Sequence, residues 1–313
     1  MTRNETAAWL LAHDNFCILT HVRPDGDTIG SATALCVALR QLGKTAHVLD
    51  NAQASPFLKR CLLGLTVDAP AENDTLVSVD VASPHLFPQE HQQYLSRIAL
   101  RIDHHATSTS FTQEELVDAT SAATGEIIYE LLLDMGGEMT KEIAWRLYIA
   151  ISTDTGCFRY SNTTAHTYRV AAACAETGAD LYPITQELFD TTSLSELKLQ
   201  NWIAEHAAFL CGGKAAVCGI PAELERNVST EDLEGISGFL RSIEGVCISA
   251  TLREIEGGCK VSVRAVPGLD AGAVCTRFGG GGHKGAGGAN LNLPMEEALK
   301  IVTAALKNAL EEV

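Results

Sequence analysis

Short apolar runs alternate with helix-period segments through residue 185. Residues 16–22 (FCILTHV) read as a buried strand, and 28–42 as a mostly apolar helix that stops at Gly43. Ala46–Leu49, 75–81 (TLVSVDV) and Ile98–Asp103 read as three further strands, and 125–135, 141–153 and 164–177 as helices. Strands alternating with helices predict a mainly parallel sheet covered on both faces. In such sheets ligands bind beyond the carboxyl ends of the strands. The pattern changes after residue 185. Residues 184–210 are polar and amphipathic and read as a connecting helix. Strands are then expected at 214–220, 246–254 and 260–266, and a helix at 230–242. A glycine-rich loop is expected at 279–288 and a last helix at Met295–Glu311. The predicted organisation is an α/β domain over 1–185, a helical linker over 186–212 and a smaller α/β domain over 213–313.

Acids and imidazoles collect where the predicted strands end. His21-Val-Arg-Pro-Asp25-Gly-Asp27 lies between a strand and a helix, with Pro24 and Gly26 keeping the segment out of helix. A turn or a helix cap accounts for one of its two aspartates, but poorly for both. Asp80 finishes an apolar strand, where burying a carboxylate is costly unless a partner awaits it. A cap or an ion pair with an arginine would also serve. Asp103-His104-His105 ends another apolar strand, and two adjacent histidines there suggest one ligand and one phosphate donor. Asp154, in Ser152-Thr153-Asp154-Thr155-Gly156, follows an apolar helix and could simply end it.

The combination points further than its parts. His21, Asp25, Asp27, Asp80, His104 and Asp154 all fall at element ends that an α/β topology gathers on one edge. Six oxygen and imidazole donors suit two divalent ions such as Mn²⁺ or Mg²⁺, and they suit structural zinc poorly because no thiolate is among them. Four carboxylates at close quarters repel one another, and two divalent ions would offset that charge and admit a phosphate.

Charge narrows the partner. Lys plus Arg number 23 and Asp plus Glu 39, a net charge of −16, which argues against tight binding of long nucleic acid. The N-terminal MTRNETAAWLLAHDNF is not patterned as a signal peptide, and no apolar run approaches the ~20 residues of a membrane helix. The ten cysteines include no Cys-x-x-Cys pair and mostly sit in apolar runs. They read as buried thiols of a reducing cytoplasm.

Taken together, HVRPDGDTIGS (21–31), the strand ending in Asp80, DHH (103–105) and STDTG (152–156) resemble the four motifs of the DHH phosphoesterase family. FGGGGHKGAGG (278–288) is similar to the GGGGH signature of the family's DHHA1 substrate domain. The resemblance spans nearly the whole chain, with all five motifs in order. It implies an N-terminal DHH domain with a mainly parallel sheet flanked by helices, joined by a helical linker to a smaller α/β DHHA1 domain. One divalent ion would be held by His21, Asp25 and Asp80. The other would be held by Asp27, His104 and Asp154, with Asp80 bridging. Asp103 would orient His104, His105 would face the scissile phosphate, and a metal-activated water would attack phosphorus. Imidazole ligands favour Mn²⁺ over Mg²⁺. Gly279, Gly280, Gly281, Gly282 and His283 would approach a phosphate, although tight turns also use glycine. Arg264 would grip a terminal phosphate, its ordinary reading being a surface arginine. Arg159, with Asn162 and Thr163, would make accessory contacts.

The layout is similar to that of the bifunctional oligoribonucleases (nanoRNases) that also remove the 3′-phosphate of phosphoadenosine phosphate (pAp). That likeness implies short oligoribonucleotides or small nucleotides as substrates, no membrane partner and a homodimer. A cyclic di-AMP or pApA phosphodiesterase on the same site is the competing expectation. A non-catalytic nucleotide sensor is the alternative of another class. It should have lost metal ligands, whereas all six positions here keep suitable side chains.

Overall fold

The computed structural model describes residues 1–312 apart from 107, 108, 227, 229–232 and 234. The chain divides into two compact units, Met1–Thr191 and Thr192–Val313.

The first unit is built on six parallel strands: β1 (Phe16–Leu19), β2 (Ala46–Leu49), β3 (Thr66–Val67), β4 (Thr75–Val79), β5 (Ile98–Asp103) and β6 (Glu114–Val117). Their order is β3-β2-β1-β4-β5-β6. The chain winds outward from β1 to β3 and then returns to β4 on the other side of β1. That reversal opens a crevice at the carboxyl ends of β1 and β4. Every residue of β1 is buried, as expected for a central strand covered on both faces.

Six longer helices belong to this unit: α1 (Arg3–Ala12), α2 (Gly26–Gln41), α3 (Pro56–Leu62), α4 (Thr124–Asp134), α5 (Lys141–Asp154) and α6 (Ala165–Glu176). The helices read from periodicity at 28–42, 125–135, 141–153 and 164–177 appear within two residues of their expected limits. Gly26, expected to keep its segment out of helix, is instead the first residue of α2. Asp25 caps that helix by accepting the Thr28 amide at 3.0 Å. Glycines let the helices approach one another closely. A Cβ at Gly30 would meet Arg146 O at 2.6 Å and Ala150 N at 2.9 Å, one at Gly26 would meet Thr153 at 2.4 Å, and one at Gly125 would meet Ala150 Cβ at 2.6 Å. So α2 lies against the backbone of α5 at Gly30, while Gly26 and Gly125 leave room for the Thr153 and Ala150 side chains.

Periodicity did not reveal β6. Its sequence, EELV, buries only Leu116, and the strand exists because β5 offers it a backbone edge.

The second unit carries a mixed sheet in the order β11-β12-β10-β9-β8-β7. Its strands are β7 (Ala208–Leu210), β8 (Ala215–Ile220), β9 (Ile248–Ile255), β10 (Gly258–Ala265), β11 (Gly281–His283) and β12 (Ala286–Leu291). Among the described residues of this sheet, only β8 and β9 pair in parallel. The helix Met295–Glu311 falls where expected and packs its Ala298, Val302 and Leu306 into this unit's core.

Two expectations change here. The glycine-rich loop at 279–288 is largely a pair of antiparallel strands, with Gly281, Gly282 and His283 opposite Gly288, Gly287 and Ala286. Its glycines lack β propensity but allow close packing, since a Cβ at Gly280 would lie 2.1 Å from Gly288 O. The single connecting helix at 184–210 is broken. Tyr182–Thr185 and a widened turn at Gln186–Asp190 end at Thr191, and a new helix, Leu194–His206, begins behind Ser193, whose hydroxyl accepts the Glu196 amide at 3.0 Å. Leu199 and Ile203 of that helix pack with Ala216, Cys218 and Ile220, so it is part of the second unit. The helix expected at 230–242 falls partly on 230–232 and 234, outside the described residues. Short turns follow at Ile236–Gly238 and Leu240–Ser242.

Candidate metal centre

The crevice between β1 and β4 is lined by the acids and histidines singled out in the first unit. Just beyond β1, the His21 ring gives its Nδ1 hydrogen to Val22 O at 2.9 Å. A carbonyl can only accept, so Nε2 of the neutral ring keeps its lone pair free. The His21 carbonyl is held by Asn51 Nδ2 at 2.9 Å. Thr28 Oγ1 donates to Val79 O at 3.0 Å and ties the first turn of α2 to the end of β4. That tie sets Asp25 and Asp27 beside Asp80. Asp27 is buried, with Oδ1 accepting from Ser31 Oγ (2.8 Å) and the Gly125 amide (3.0 Å) and Oδ2 from the Thr124 amide (2.7 Å).

Asp80 follows β4 in the left-handed region, at φ +61°, and is 2% exposed. Left-handed backbone in a non-glycine residue is uncommon and clusters at functional sites. It turns the carboxylate off the strand axis, where Oδ1 accepts from Thr124 Oγ1 at 2.9 Å. His104 repeats the His21 arrangement, with Nδ1 directed to Ser121 O at 3.2 Å and Nε2 facing the carboxylates. A metal-binding histidine ordinarily gives its second ring N–H to such a carbonyl.

Asp103 departs from the expected role. Its Oδ1 accepts from His105 Nδ1 at 2.8 Å and from the backbone amides of His104 and His105. It therefore orients the His105 ring, and it holds His104 only through the main chain. The reason is steric order along the strand end: the His104 ring has already turned to Ser121.

The distances define two triads. His21 Nε2 lies 3.7 Å from Asp25 Oδ1 and 3.6 Å from Asp80 Oδ2. His104 Nε2 lies 3.3 Å from Asp154 Oδ2, 3.8 Å from Asp27 Oδ2 and 3.7 Å from Asp80 Oδ1. Within His21–Asp25–Asp80, and again within Asp27–His104–Asp154, one donor atom per residue lies within 4.8 Å of the others. Asp80 turns one oxygen toward each histidine.

Electrostatics favour a cation here. Burial, with the charges of Asp80 and Asp154, pushes the Asp27 carboxyl well above its ordinary range. Burial, with Asp25 and Asp80, does the same to Asp154. For Asp25 burial is outweighed by His21, and its pKa falls to about 2. For His105 burial is outweighed by Asp103, Asp80 and Asp154, and its pKa rises to about 9. A donor set of carboxylate oxygens and imidazole nitrogens, two of whose acids are pushed upward by burial and like charge, fits a pair of divalent ions.

The partners of these ligands were not visible in the sequence. Ser121, Thr124 and Gly125 come from a Ser-Ala-Ala-Thr-Gly stretch whose residue types signal only a loop and a helix start. Arg159, also in this unit, donates from Nε to Gly156 O at 2.6 Å and lies over the Phe189 ring at 5.8 Å. Asn162 Nδ2 donates to Asp154 O and Ala122 O, both at 3.0 Å, so it braces the site backbone.

The remaining predicted residues belong to the second unit. Arg264 stands on β10 opposite Ala286, with Nη1 donating to Val263 O at 3.0 Å. Gly279 and Gly280 precede β11, whose residues are Gly281, Gly282 and His283. A Cβ at Gly282 would lie 2.3 Å from Ala286 O, whereas a Cβ at Gly281 would meet nothing within 4 Å.

The profile for the DHH family, N-terminal domain, matches residues 15–151, and that for the DHHA1 domain matches residues 212–312. The chain is 36% identical over 299 residues to the bifunctional oligoribonuclease and PAP phosphatase NrnA of Thermus thermophilus, covering 94% of this chain and 89% of that protein. The chain belongs to the DHH–DHHA1 phosphoesterase family. It is also 27% identical to the NrnA of Bacillus subtilis, over 92% of this chain and 93% of that protein. Among solved structures, an exopolyphosphatase-related protein of Bacteroides fragilis shares the fold, with a TM-score of 0.84 at 24% identity over 98% of this chain and 96% of that one. RecJ of Thermus thermophilus in complex with Mn²⁺ aligns with a TM-score of 0.57 at 14% identity, over 99% of this chain and 55% of that one. Family membership makes the chain an enzyme, a phosphoesterase. Among the described residues no helix is long and apolar enough to cross a membrane.

Proposed function

We propose that this chain is a two-metal phosphodiesterase that degrades very short RNA to mononucleotides and also removes the 3′-phosphate of pAp. The observation that carries the reading is the shared carboxylate: Asp80 stands between His21–Asp25 and Asp27–His104–Asp154 with one oxygen toward each. The two NrnA relatives, matched over nearly their full length, support the choice of substrate. His21, Asp25 and Asp80 would hold one ion, and Asp27, His104 and Asp154 the other. Mn²⁺ is preferred because two imidazoles are among the donors. Bound there, a pair of divalent ions supplies charge neutralisation of the phosphoryl oxygens and a water of lowered pKa.

The chain's own residues do the rest. His105, held through Nδ1 by Asp103, would face a phosphoryl oxygen of the substrate. Asp103 fixes its ring. In the second unit, Arg264 and the Gly279–His283 stretch bind the far end of a short substrate. Gly281 supports that role, because this unit's own packing does not require a glycine there. Arg159 adds a contact to phosphate. Ten cysteines, all unpaired and mostly buried, fit a cytoplasmic location, and a homodimer remains part of the family-based expectation.

A time course on labelled two- to five-residue RNAs, with pAp and pApA alongside, tests this reading in Mn²⁺ and in chelator. Mononucleotides from the RNAs and adenosine monophosphate from pAp are expected in Mn²⁺ only. Turnover of pApA alone would identify a linear dinucleotide phosphodiesterase instead. Nucleotide binding without turnover, insensitive to chelator, would identify a sensor.

A further inference from the structure

Thr124 touches carboxylates of both triads through different atoms. It is fully buried at the start of α4. Its amide donates to Asp27 Oδ2 at 2.7 Å, and its hydroxyl donates to Asp80 Oδ1 at 2.9 Å. Two features of the helix start make this possible. Ala123, in the capping position, has no side chain to satisfy the first amides, and Asp27 satisfies those of Thr124 and Gly125 from α2 instead. A threonine deeper in a helix would turn its hydroxyl back to a carbonyl four residues earlier. Thr124 is the first residue of α4, with no helical turn before it, so its hydroxyl reaches outward.

We propose that Thr124 is a positioning residue that fixes the plane of the bridging carboxylate Asp80 and so sets how both divalent ions are held. The inference rests on the two-metal reading given above. A hydroxyl has one hydrogen to donate, and Thr124 gives it to Oδ1, the oxygen facing His104. Oδ2, which faces His21, keeps its lone pairs. Rotation of the Asp80 carboxylate would exchange or misdirect the two oxygens, and the left-handed backbone at Asp80 fixes only where the side chain starts. The hydroxyl fixes where it ends. Asp27 is tied to the same residue, but by main chain. Changing the side chain therefore acts on Asp80 and leaves the Asp27 contact in place.

The test is Mn²⁺ binding to the full chain by calorimetric titration and by Mn²⁺ electron paramagnetic resonance, for wild type, Thr124→Val, Thr124→Ser and Thr124→Ala. Valine keeps the branched shape and loses the hydroxyl, and serine does the reverse. Disturbing a group that orients a metal ligand typically costs about 10- to 100-fold in metal affinity. That loss is expected for Thr124→Val, with Thr124→Ser close to wild type and an altered Mn²⁺ spectrum in the valine variant only. Should Thr124→Val fail to fold, the serine and alanine variants, which differ by the hydroxyl alone, carry the comparison. Serine holding Mn²⁺ about tenfold or more tightly than alanine supports the role. Unchanged affinity in Thr124→Val, or equal losses in serine and alanine, would overturn the role and leave the metal centre standing. A wild-type chain that binds no Mn²⁺ would overturn both.

Discussion

Asp154→Ala should make the metal-free protein more stable and the metal-loaded protein less stable than wild type. Without an ion, Asp154 and Asp27 present carboxylate oxygens within 4.8 Å of each other. At an effective dielectric of 20, two charges at that spacing repel by about 3.5 kcal/mol. Protonation relieves part of this, and both carboxyls are pushed upward, Asp27 by burial, Asp80 and Asp154, and Asp154 by burial, Asp25 and Asp80. A net gain of about 1–2 kcal/mol is therefore expected on removing Asp154 in chelator at pH 8. The sign follows from linkage. A carboxyl whose folded pKa is raised weakens the fold as pH climbs from its unfolded pKa to its folded one, and the full penalty is present above that. The difference between wild type and variant in chelator should thus shrink toward pH 5.

With Mn²⁺ at a hundred times its dissociation constant, wild type gains about 2.7 kcal/mol per ion. For a unit of this size that is about 5–11 °C in melting temperature. The variant loses that gain at one of the two positions. The assay is thermal unfolding followed by circular dichroism in chelator and in Mn²⁺. An Asp154→Ala protein that melts lower than wild type in both, by similar amounts, would refute the charge argument and make Asp154 an ordinary packing residue.

Gly281→Ala should fold with a melting temperature within about 1 °C of wild type, since its Cβ meets nothing, and should raise KM on dinucleotides at near-constant kcat. Gly280→Ala, whose Cβ would strike Gly288 O and Ala289, should lose about 1–3 kcal/mol in denaturant melts, and equal stability of the two variants would contradict the packing described for β12. In chelator, the stability that protonated His105 contributes should be fully present below about pH 6.5 and lost as pH rises through about 9. A His105→Gln protein should show a flatter pH profile over that window, and an unchanged profile would mean that Asp103 does not hold the ring in the protonated form. Arg264→Ala should raise KM on dinucleotides more than on a chromogenic mononucleotide ester, measured by steady-state kinetics, and equal losses would remove the second unit from substrate binding.

Much of the fold and of the site could be read from residue order, because its signals are local. Buried strands such as FCIL, and IALRID despite its Arg101, announce themselves by apolar runs, and an acid or histidine at the end of such a strand stands out against it. The partners of those ligands could not be read. Thr124 and Gly125 reach Asp27 across nearly a hundred residues, and nothing in Ser-Ala-Ala-Thr-Gly marks it as the place where α2 and α4 meet. The same holds for Asp103: its position in the motif allows either histidine, and only the turn of His104 toward Ser121 decides for His105. β12 was hidden for the opposite reason, since its opening Ala-Gly-Gly-Ala carries little side-chain signal and pairs through the backbone of β10.

The contact of α2 with α5 through Gly26 and Gly30 has a consequence for how such a cage can diversify. Asp25 and Asp27 ride on one of these helices and Asp154 on the other, and the interval between them is set where Gly30 meets the α5 backbone and Gly26 meets the Thr153 side chain. Exchanging the donor atoms could change which ion is welcome, but the span between donors would stay as it is. A descendant that needed a roomier cavity would first have to give up those two glycines and prise the rods apart.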